Sequence, residues 1–496
     1  MPRSSCVALL WMSVVTAAGQ GADWPQWRGP NRDGVAPSSP PLVAQLPAEG
    51  LAPAWVSESL AGGFAGGWGS PIVADGRVYL FVHFKQQKTP GELPKRKFPY
   101  LADDKRGGMT PAEYEEYEKN RRAEELEFGK LFDFRERTFC LDAATGKTLW
   151  KQDKTSVYSR FVQSGTLTAA GGKLYILGAG RRARCLDAAT GADVWDVALP
   201  GEFVDEFYMS SFAVVDGAAI VGAGGLFGLD AATGKLLWSG EGRKLSVSHT
   251  SPVAWTGGGA SCVLVNVGGG ETVCLDPRTG DERWRVKSEA NQSTPVVVGN
   301  RLITYGSSRR SGLRCYDMTL DGAKEAWSYQ RVADKGSSPV VVGGQVYVQG
   351  EKRMACVDLA TGDEKWNATL DLASPQYTSL VAADGKVVYA YDGVICYAAD
   401  PAEYRPLFDA KLNKAGLLAP ESLHRRLLNL DEVEKRPTGL EGSVRIFKRE
   451  VGDQGPLACT SPALVDGRLI LRLRDRVACY DLRAERAAPS AGGGGR

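Results

Sequence analysis

The chain has 496 residues, and its ten cysteines and three histidines are the side chains best suited to metal or redox chemistry. Their spacing argues against both. His83, His249 and His424 stand far apart, whereas a zinc site brings several His or Cys donors together. No Cys-x-x-Cys-His haem signature occurs. Oxygen donors for a hard cation are as sparse. Only SEANQS (288–293) sets a carboxylate, Glu289, beside an amide, Asn291, and Ca²⁺ needs several converging oxygens. There is no nucleophile triad and no phosphate loop. The expectation is no catalytic residue and no metal ligand.

The cysteines obey a different rule. Residues 140–150 read CLDAATGKTLW and residues 185–195 read CLDAATGADVW. Cys-x-Asp recurs at Cys140, Cys185, Cys274, Cys315, Cys356 and Cys479; Gly228 takes the cysteine place before Asp230, and Cys396 opens a copy that has lost its Asp. A second mark precedes each copy, a Ser or Thr followed by two short apolar runs around a Gly turn. It starts at Ser70, Ser164, Ser211, Ser251, Thr294, Ser338, Ser379 and Ser461. Such a pattern is a β-hairpin signal. A third mark is an aromatic after the turn: Trp150, Trp195, Trp238, Trp284, Trp327 and Trp366, with Phe447 taking the seventh place. The last copy has none, but Trp55 stands ahead of the first.

Each unit therefore reads as a four-stranded meander, and repeats of this length with four strands indicate a propeller. The fold class is all-β: an eight-bladed β-propeller of four-stranded antiparallel blades. The last unit supplies three strands and the N-terminal strand around Trp55 the fourth, which removes the exposed edges of an open array. Asp142 is placed to accept N–H groups of its turn, and Gly146 supplies a conformation other residues resist. The eight aromatics, Trp55 and Phe447 included, read as filling between stacked sheets rather than as a ligand platform. Repeat-equivalent cysteines in neighbouring blades lie ~10 Å apart, beyond the ~7 Å that a disulfide spans. They read as small buried hydrophobes. Cys262 and Cys274, on adjacent strands of one hairpin, leave a cross-strand bridge open.

Net charge gives no support for a polyanionic partner. With 60 basic against 58 acidic residues, nothing favours nucleic acid or an anionic membrane. An Arg, an apolar run from Cys6 to Val15 and small residues after it form a secretory signal layout over 1–22. The run is shorter than the ~20 residues of a membrane span. An exported protein, periplasmic or extracellular, with no membrane span is expected.

The phrase LDAATGKxLW combined with SPVVxxGxVY resembles the pyrroloquinoline-quinone (PQQ)-like propeller repeat of exported bacterial proteins, over nearly all of residues 50 to 482. The resemblance implies eight blades with aromatic docking between them. It spans two kinds of function: quinone-dependent alcohol or sugar dehydrogenases, and cofactor-free scaffolds such as the propeller lipoprotein of outer-membrane β-barrel assembly. The dehydrogenases hold PQQ and Ca²⁺ over the axial funnel, many beneath a vicinal Cys-Cys pair that this chain lacks. A non-catalytic interaction or ligand-binding scaffold without cofactor is the leading expectation; PQQ with Ca²⁺ is the alternative. The partner, protein or small ligand, is left unnamed, and the propeller is expected to be monomeric.

The expected organisation is a signal peptide (1–22), a clasp (23–49) in which Trp24 and Trp27 pack at the seam of first and last blades, the propeller (50–486) and a disordered tail (487–496). Two partly helical insertions interrupt it. Residues 85–135 fall between the second and third strands of blade 1, with a helix start at Thr110. Residues 401–442 fall between the third and fourth strands of blade 7, so the two should decorate opposite faces. Turns that enter each inner strand should ring the funnel with Trp68, Arg160, Tyr208, His249, Glu289, Asn291 and Tyr377, a concentration of polar and aromatic groups that reads as a small-ligand or peptide site.

Overall fold

Each hairpin mark folds because its turn chemistry demands it. Asp75 and Gly76 both take positive φ, +50° and +70°, the two-residue turn whose twist matches paired strands. The computed structural model describes residues 23–60, 67–101, 103–159, 165–201, 208, 210–290, 292–372 and 377–484. The expected signal peptide and tail, and Ser164, Arg160 and Asn291, lie outside the described residues.

Eight antiparallel sheets result, seven of four strands and one of five. Blade 1 runs Ile72–Ala74, Arg77–Gln87, Phe132–Asp142, Thr148–Thr155 from inside to outside. Inner strands of successive blades pack side by side around the axis, and those of blades 1 and 8 close the circle. Blade 8 takes Ala463–Val465, Arg468–Arg472 and Val477–Asp481 from the C-terminal end and Trp55–Val56 from the N-terminal end, with Trp55 opposite Cys479. Among the described residues no helix is long and apolar enough to cross a membrane.

The repeat letters have visible jobs. Asp142 Oδ1 accepts the N–H groups of Ala144 and Thr145, and Gly146 sits at φ +69°. Each outer-strand tryptophan donates its indole N–H to a carbonyl in the following blade: Trp55 to Ala143, Trp150 to Ala188, Trp195 to Ala231, Trp238 to Pro277, Trp284 to Thr319, Trp327 to Leu359 and Trp366 to Asp400, at 2.8–3.2 Å. The indole faces lie on the turn glycines; a methyl group on Gly191 would sit 2.6 Å from Trp150. The nine described cysteines are free thiols, Cys262 and Cys274 included, and eight of them are buried.

Gly228 shows how tightly this gap is filled. A Cβ there would meet Trp238 Nε1 at 2.2 Å. Seven sister positions carry Cys, yet Gly228→Cys is expected to destabilise by about 1–3 kcal/mol, because the indole has taken the space. Urea unfolding checks this; an unchanged midpoint would refute it.

Blade 7 differs from the sequence expectation. Its fourth strand is Pro406–Leu412, and Phe408 stands opposite Cys396, where other blades place the tryptophan. Phe447 instead ends a helix, α4 (Gly439–Phe447). The lost Asp and Thr-Gly of this copy hid a link of ordinary length. The second insertion therefore follows the fourth strand. It adds a fifth, Leu418–Ala419, then α2 (Glu421–Leu427), α3 (Leu430–Glu434) and α4 before blade 8. (The first insertion carries α1, Pro111–Gly129, with the Thr110–Glu113 capping box in place.) Connections after a second strand and after a fourth strand leave from the same face. Both insertions thus spring from one face of the wheel, not from opposite faces.

The N-terminal segment does more than pack at the first–last seam, where Trp24 and Leu42 share an apolar cluster with Val73 of blade 1 and Leu464 of blade 8. It enters the axial channel. Trp24 exchanges backbone hydrogen bonds with Val73 of blade 1, Ala169 of blade 2 donates to Pro25, and Ala36 and Gly34 bond Ala382 of blade 7. Two fully buried arginines anchor the loop between. Arg28 donates to the Pro339 carbonyl of blade 6 and to Asp33. Arg32 donates to Ser211 and Phe212 of blade 3 and to Gln26 Oε1, at 2.6–3.2 Å. Burial pulls both guanidiniums down, Arg28 to about 10 and Arg32 to about 9. The physical reason is the inner strands themselves: every one presents an unpaired edge to the axis, and such polar groups need partners. Between this loop and blades 3 to 6 a cavity of 510 Å³ remains.

Candidate functional site

The face that bears both insertions opens over the axis into a shallow cup of about 50 Å³. Trp27 and Trp68, His249, Gln292, Gly336, Tyr377 and Cys459 line it, over a floor that includes Ser70, Thr166, Ser211 and Ser251. Trp27 is carried in by the channel loop, with the Arg28 guanidinium 5.7 Å from its ring centre.

The floor explains the Ser/Thr mark. Seven of the eight inner strands begin with a hydroxyl that accepts the backbone N–H of the blade before it. Ser70 donates to Thr166, Thr166 to Ser211, Ser211 to Ser251, Ser251 to Thr294, Thr294 to Ser338 and Ser338 to Ser379, at 3.0–3.2 Å. Ser461 N–H then donates to Ser70 Oγ at 2.9 Å, across the seam of the ring. Between blades 7 and 8 the direction reverses, with Cys459 N–H on Thr378 Oγ1 at 3.2 Å. Blade 2 contributes Thr166 to this belt; the sequence expectation had placed its mark two residues earlier.

Two wall residues are held in left-handed backbone, Tyr377 at φ +66° and Cys459 at φ +70°. Non-glycine residues pay of order 1–3 kcal/mol for strained backbone and keep it only where surroundings impose it. The buried carboxylate of Asp334 imposes it on Tyr377. Its Oδ1 accepts the N–H groups of Gly336, Ser337 and Tyr377 at 2.7–3.0 Å. Gly336 leaves room for the ring, since a Cβ there would lie 2.6 Å from Tyr377 Cδ1. Ser248 Oγ lies 2.6 Å from His249 Nδ1. Burial lowers the His249 pKa and raises those of Tyr377 and Cys459, the thiol to about 11. All three are neutral at neutral pH.

Of the residues expected at the funnel, Trp68, His249 and Tyr377 meet in the cup. Tyr208 is buried outside it, its hydroxyl accepting from Arg181 at 3.2 Å. Glu289 is also outside, its N–H on the Gly270 carbonyl. Sequence reasoning missed Trp27, Gln292 and Cys459. Cys459 could have been found as the cysteine just before the last Ser mark.

A quinone tricarboxylate with Ca²⁺ does not fit these residues. No charged side chain lines the cup among the described residues, and no group of three or more His, Cys, Asp or Glu gathers anywhere among them. Burial that neutralises His249 would penalise carboxylates equally.

Comparison with known proteins agrees with the repeat. A family model described as outer membrane protein assembly factor BamB matches residues 136–319 and, in an overlapping placement, 229–404, together more than half of the chain. The chain belongs to this family. The BamB family relative from Nitrosomonas eutropha is 26% identical over 229 residues, which is 46% of this chain and 45% of that protein. The one from Moranella endobia is 26% identical over 300 residues, 56% of this chain and 74% of that protein. The chain thus spans less than half the length of the first of these BamB family relatives. Among solved structures, the quinohemoprotein alcohol dehydrogenase from Comamonas testosteroni overlays with a TM-score of 0.54 at 13% identity, covering 95% of this chain and 82% of that one. That likeness is one of fold alone.

Proposed function

We propose that this chain is an exported, periplasmic, non-catalytic propeller that binds protein partners in outer-membrane protein assembly, the role stated in the names of its BamB family relatives. The observation that carries the reading is the occupied axis. The chain's own residues 24–36 stand where an axial ligand site would need depth, and they leave an uncharged cup above. The two insertions on one face supply a surface for a partner. Helix α1 is polar all round and self-sufficient: Arg121 bridges Glu118 and Glu125 at 2.7 and 2.9 Å, and Glu124 receives the N–H groups of Lys97 and Phe98. Such a helix is not held by a core face, which suits a solvent-facing arm.

Two experiments test this. Incubation with PQQ and Ca²⁺, followed by dye-linked assay with alcohols and sugars, is expected to give neither bound-quinone absorbance nor turnover. Turnover would overturn the reading. Replacing residues 88–131 by a two-residue Asn-Gly turn keeps blade 1 paired and is expected to abolish cross-linking to envelope partners. Unchanged cross-links would remove the arm from the account.

A further inference from the structure

The cup has one property that the scaffold role does not use. Ser70, Thr166, Ser211 and Ser251 are each at least 96% buried and each line it. Every one accepts a backbone N–H through its hydroxyl oxygen. None of the four hydroxyls donates to an acceptor among the described residues. A buried donor without an acceptor is costly, so an occupant that offers oxygen atoms is favoured. The amide of Gln292, also in the wall, makes no hydrogen bond among the described residues and offers both a donor and an acceptor. Around this polar floor stand three aromatic rings from distant parts of the chain, Trp27, Trp68 and Tyr377.

Four demands fall on the occupant: oxygen acceptors, an apolar face, no net charge, and a tip small enough for about 50 Å³. A carboxylate or phosphate fails the third. An aromatic or aliphatic peptide side chain fails the first, and would leave the hydroxyls facing hydrocarbon. A sugar ring meets all four, because its C–H faces stack on aromatics while its hydroxyls accept and donate at the edge. We propose that the cup binds the end of a neutral carbohydrate, one pyranose held among Trp27, Trp68 and Tyr377 with its hydroxymethyl or N-acetyl tip on the Ser/Thr floor. The inference rests on the scaffold reading, in which the cup is free of cofactor.

The test uses the whole exported protein. Glucose, N-acetylglucosamine, maltotriose and cellotriose are titrated while tryptophan fluorescence and heat are recorded, with an aromatic tripeptide and PQQ as rivals. At least one neutral saccharide is expected to saturate, with a Kd that hardly moves between roughly 0.05 and 0.5 M NaCl, since no charge is paired. Tyr377→Ala and Trp68→Ala are expected to weaken it by roughly tenfold or more, as loss of an aromatic anchor does. Should either variant fail to fold, protection of the wild-type tryptophans from acrylamide by the saccharide replaces it. No saturation by any of the four saccharides, saturation by the tripeptide alone, or equal affinity in both folded variants would overturn the carbohydrate site and leave the scaffold standing. Turnover with PQQ would overturn the scaffold reading itself.

Discussion

Trp24→Ala is expected to lower the unfolding free energy by about 3–5 kcal/mol, and Trp27→Ala by less than about 1 kcal/mol. The two residues are three apart in one short segment, so the contrast isolates what the segment does. Trp24 is 1% exposed, exchanges two backbone hydrogen bonds with Val73, and lies on Gly29, where a Cβ would be 3.0 Å from its ring. Truncating it empties the axis next to blade 1 and loosens the hold on Arg28 and Arg32. Trp27 is only half-buried at the cup and supports no strand. Urea midpoints of the two variants check the pair. Equal midpoints would show that the segment packs on the wheel's surface and not in its channel. The same Trp27→Ala variant, stable but lacking one cup ring, also serves the saccharide titration.

The second large effect belongs to the seam. Trp55→Ala is expected to cost about 3–5 kcal/mol by the same packing argument, and in addition to expose the N-terminal strand to protease. Trp55 is 7% exposed, its N–H is on the Ala143 carbonyl, and Gly146 faces its ring at a distance that leaves no room for a methyl group. Its strand has two residues, Trp55 and Val56, and the N–H groups of Ala54, Ser57 and Leu60 extend the pairing to the carbonyls of Cys479, Val477 and Asp475. Other outer strands follow the third strand of their own blade along the chain; this one is joined to blade 8 without that covalent link. Limited proteolysis is expected to cleave between residues 50 and 66 faster in Trp55→Ala than in Trp366→Ala. Equal cleavage in the two would mean that the ring is not held shut there.

The wheel was legible from the chain because packing forces the same letters into every blade. A tryptophan needs a glycine opposite it, the turn needs Asp and Gly, and eight copies make the count. Where a copy loses its letters the reading fails. Counting back from Ser461 reached Phe447, while counting forward would have reached Phe408, which follows Cys396 by 12 residues as Trp327 follows Cys315. That single slip also moved the second insertion to the wrong face. The channel loop was illegible for a different reason. Nothing local in DWPQWRGPNRDG says that its two arginines will be buried, because their partners are carbonyls of blades 3 and 6, more than 170 residues away. The cup was half legible. Trp68, His249 and Tyr377 follow from the strand order, but Trp27 reaches the cup only through that loop. The Ser/Thr mark was visible as a repeat, but only as the head of each hairpin; its use as a hydroxyl belt appears only once neighbouring blades are side by side.

Residues 24–36 bond the inner strands of blades 1, 3, 6 and 7 and fill the axis, and the proposed scaffold role rests on that filling. Val35 and Ala382 are direct bridge partners, and residues so paired lie within the roughly 4.4–6.8 Å between Cα atoms that a disulfide needs. Cysteines are placed at both in a double variant, V35C with A382C, and the protein is oxidised under mild conditions. Peptide mapping is expected to find the new link in nearly all molecules, with no loss of thermal stability. Two thiols that stay separate and both react with a bulky maleimide in the folded protein would contradict the claim.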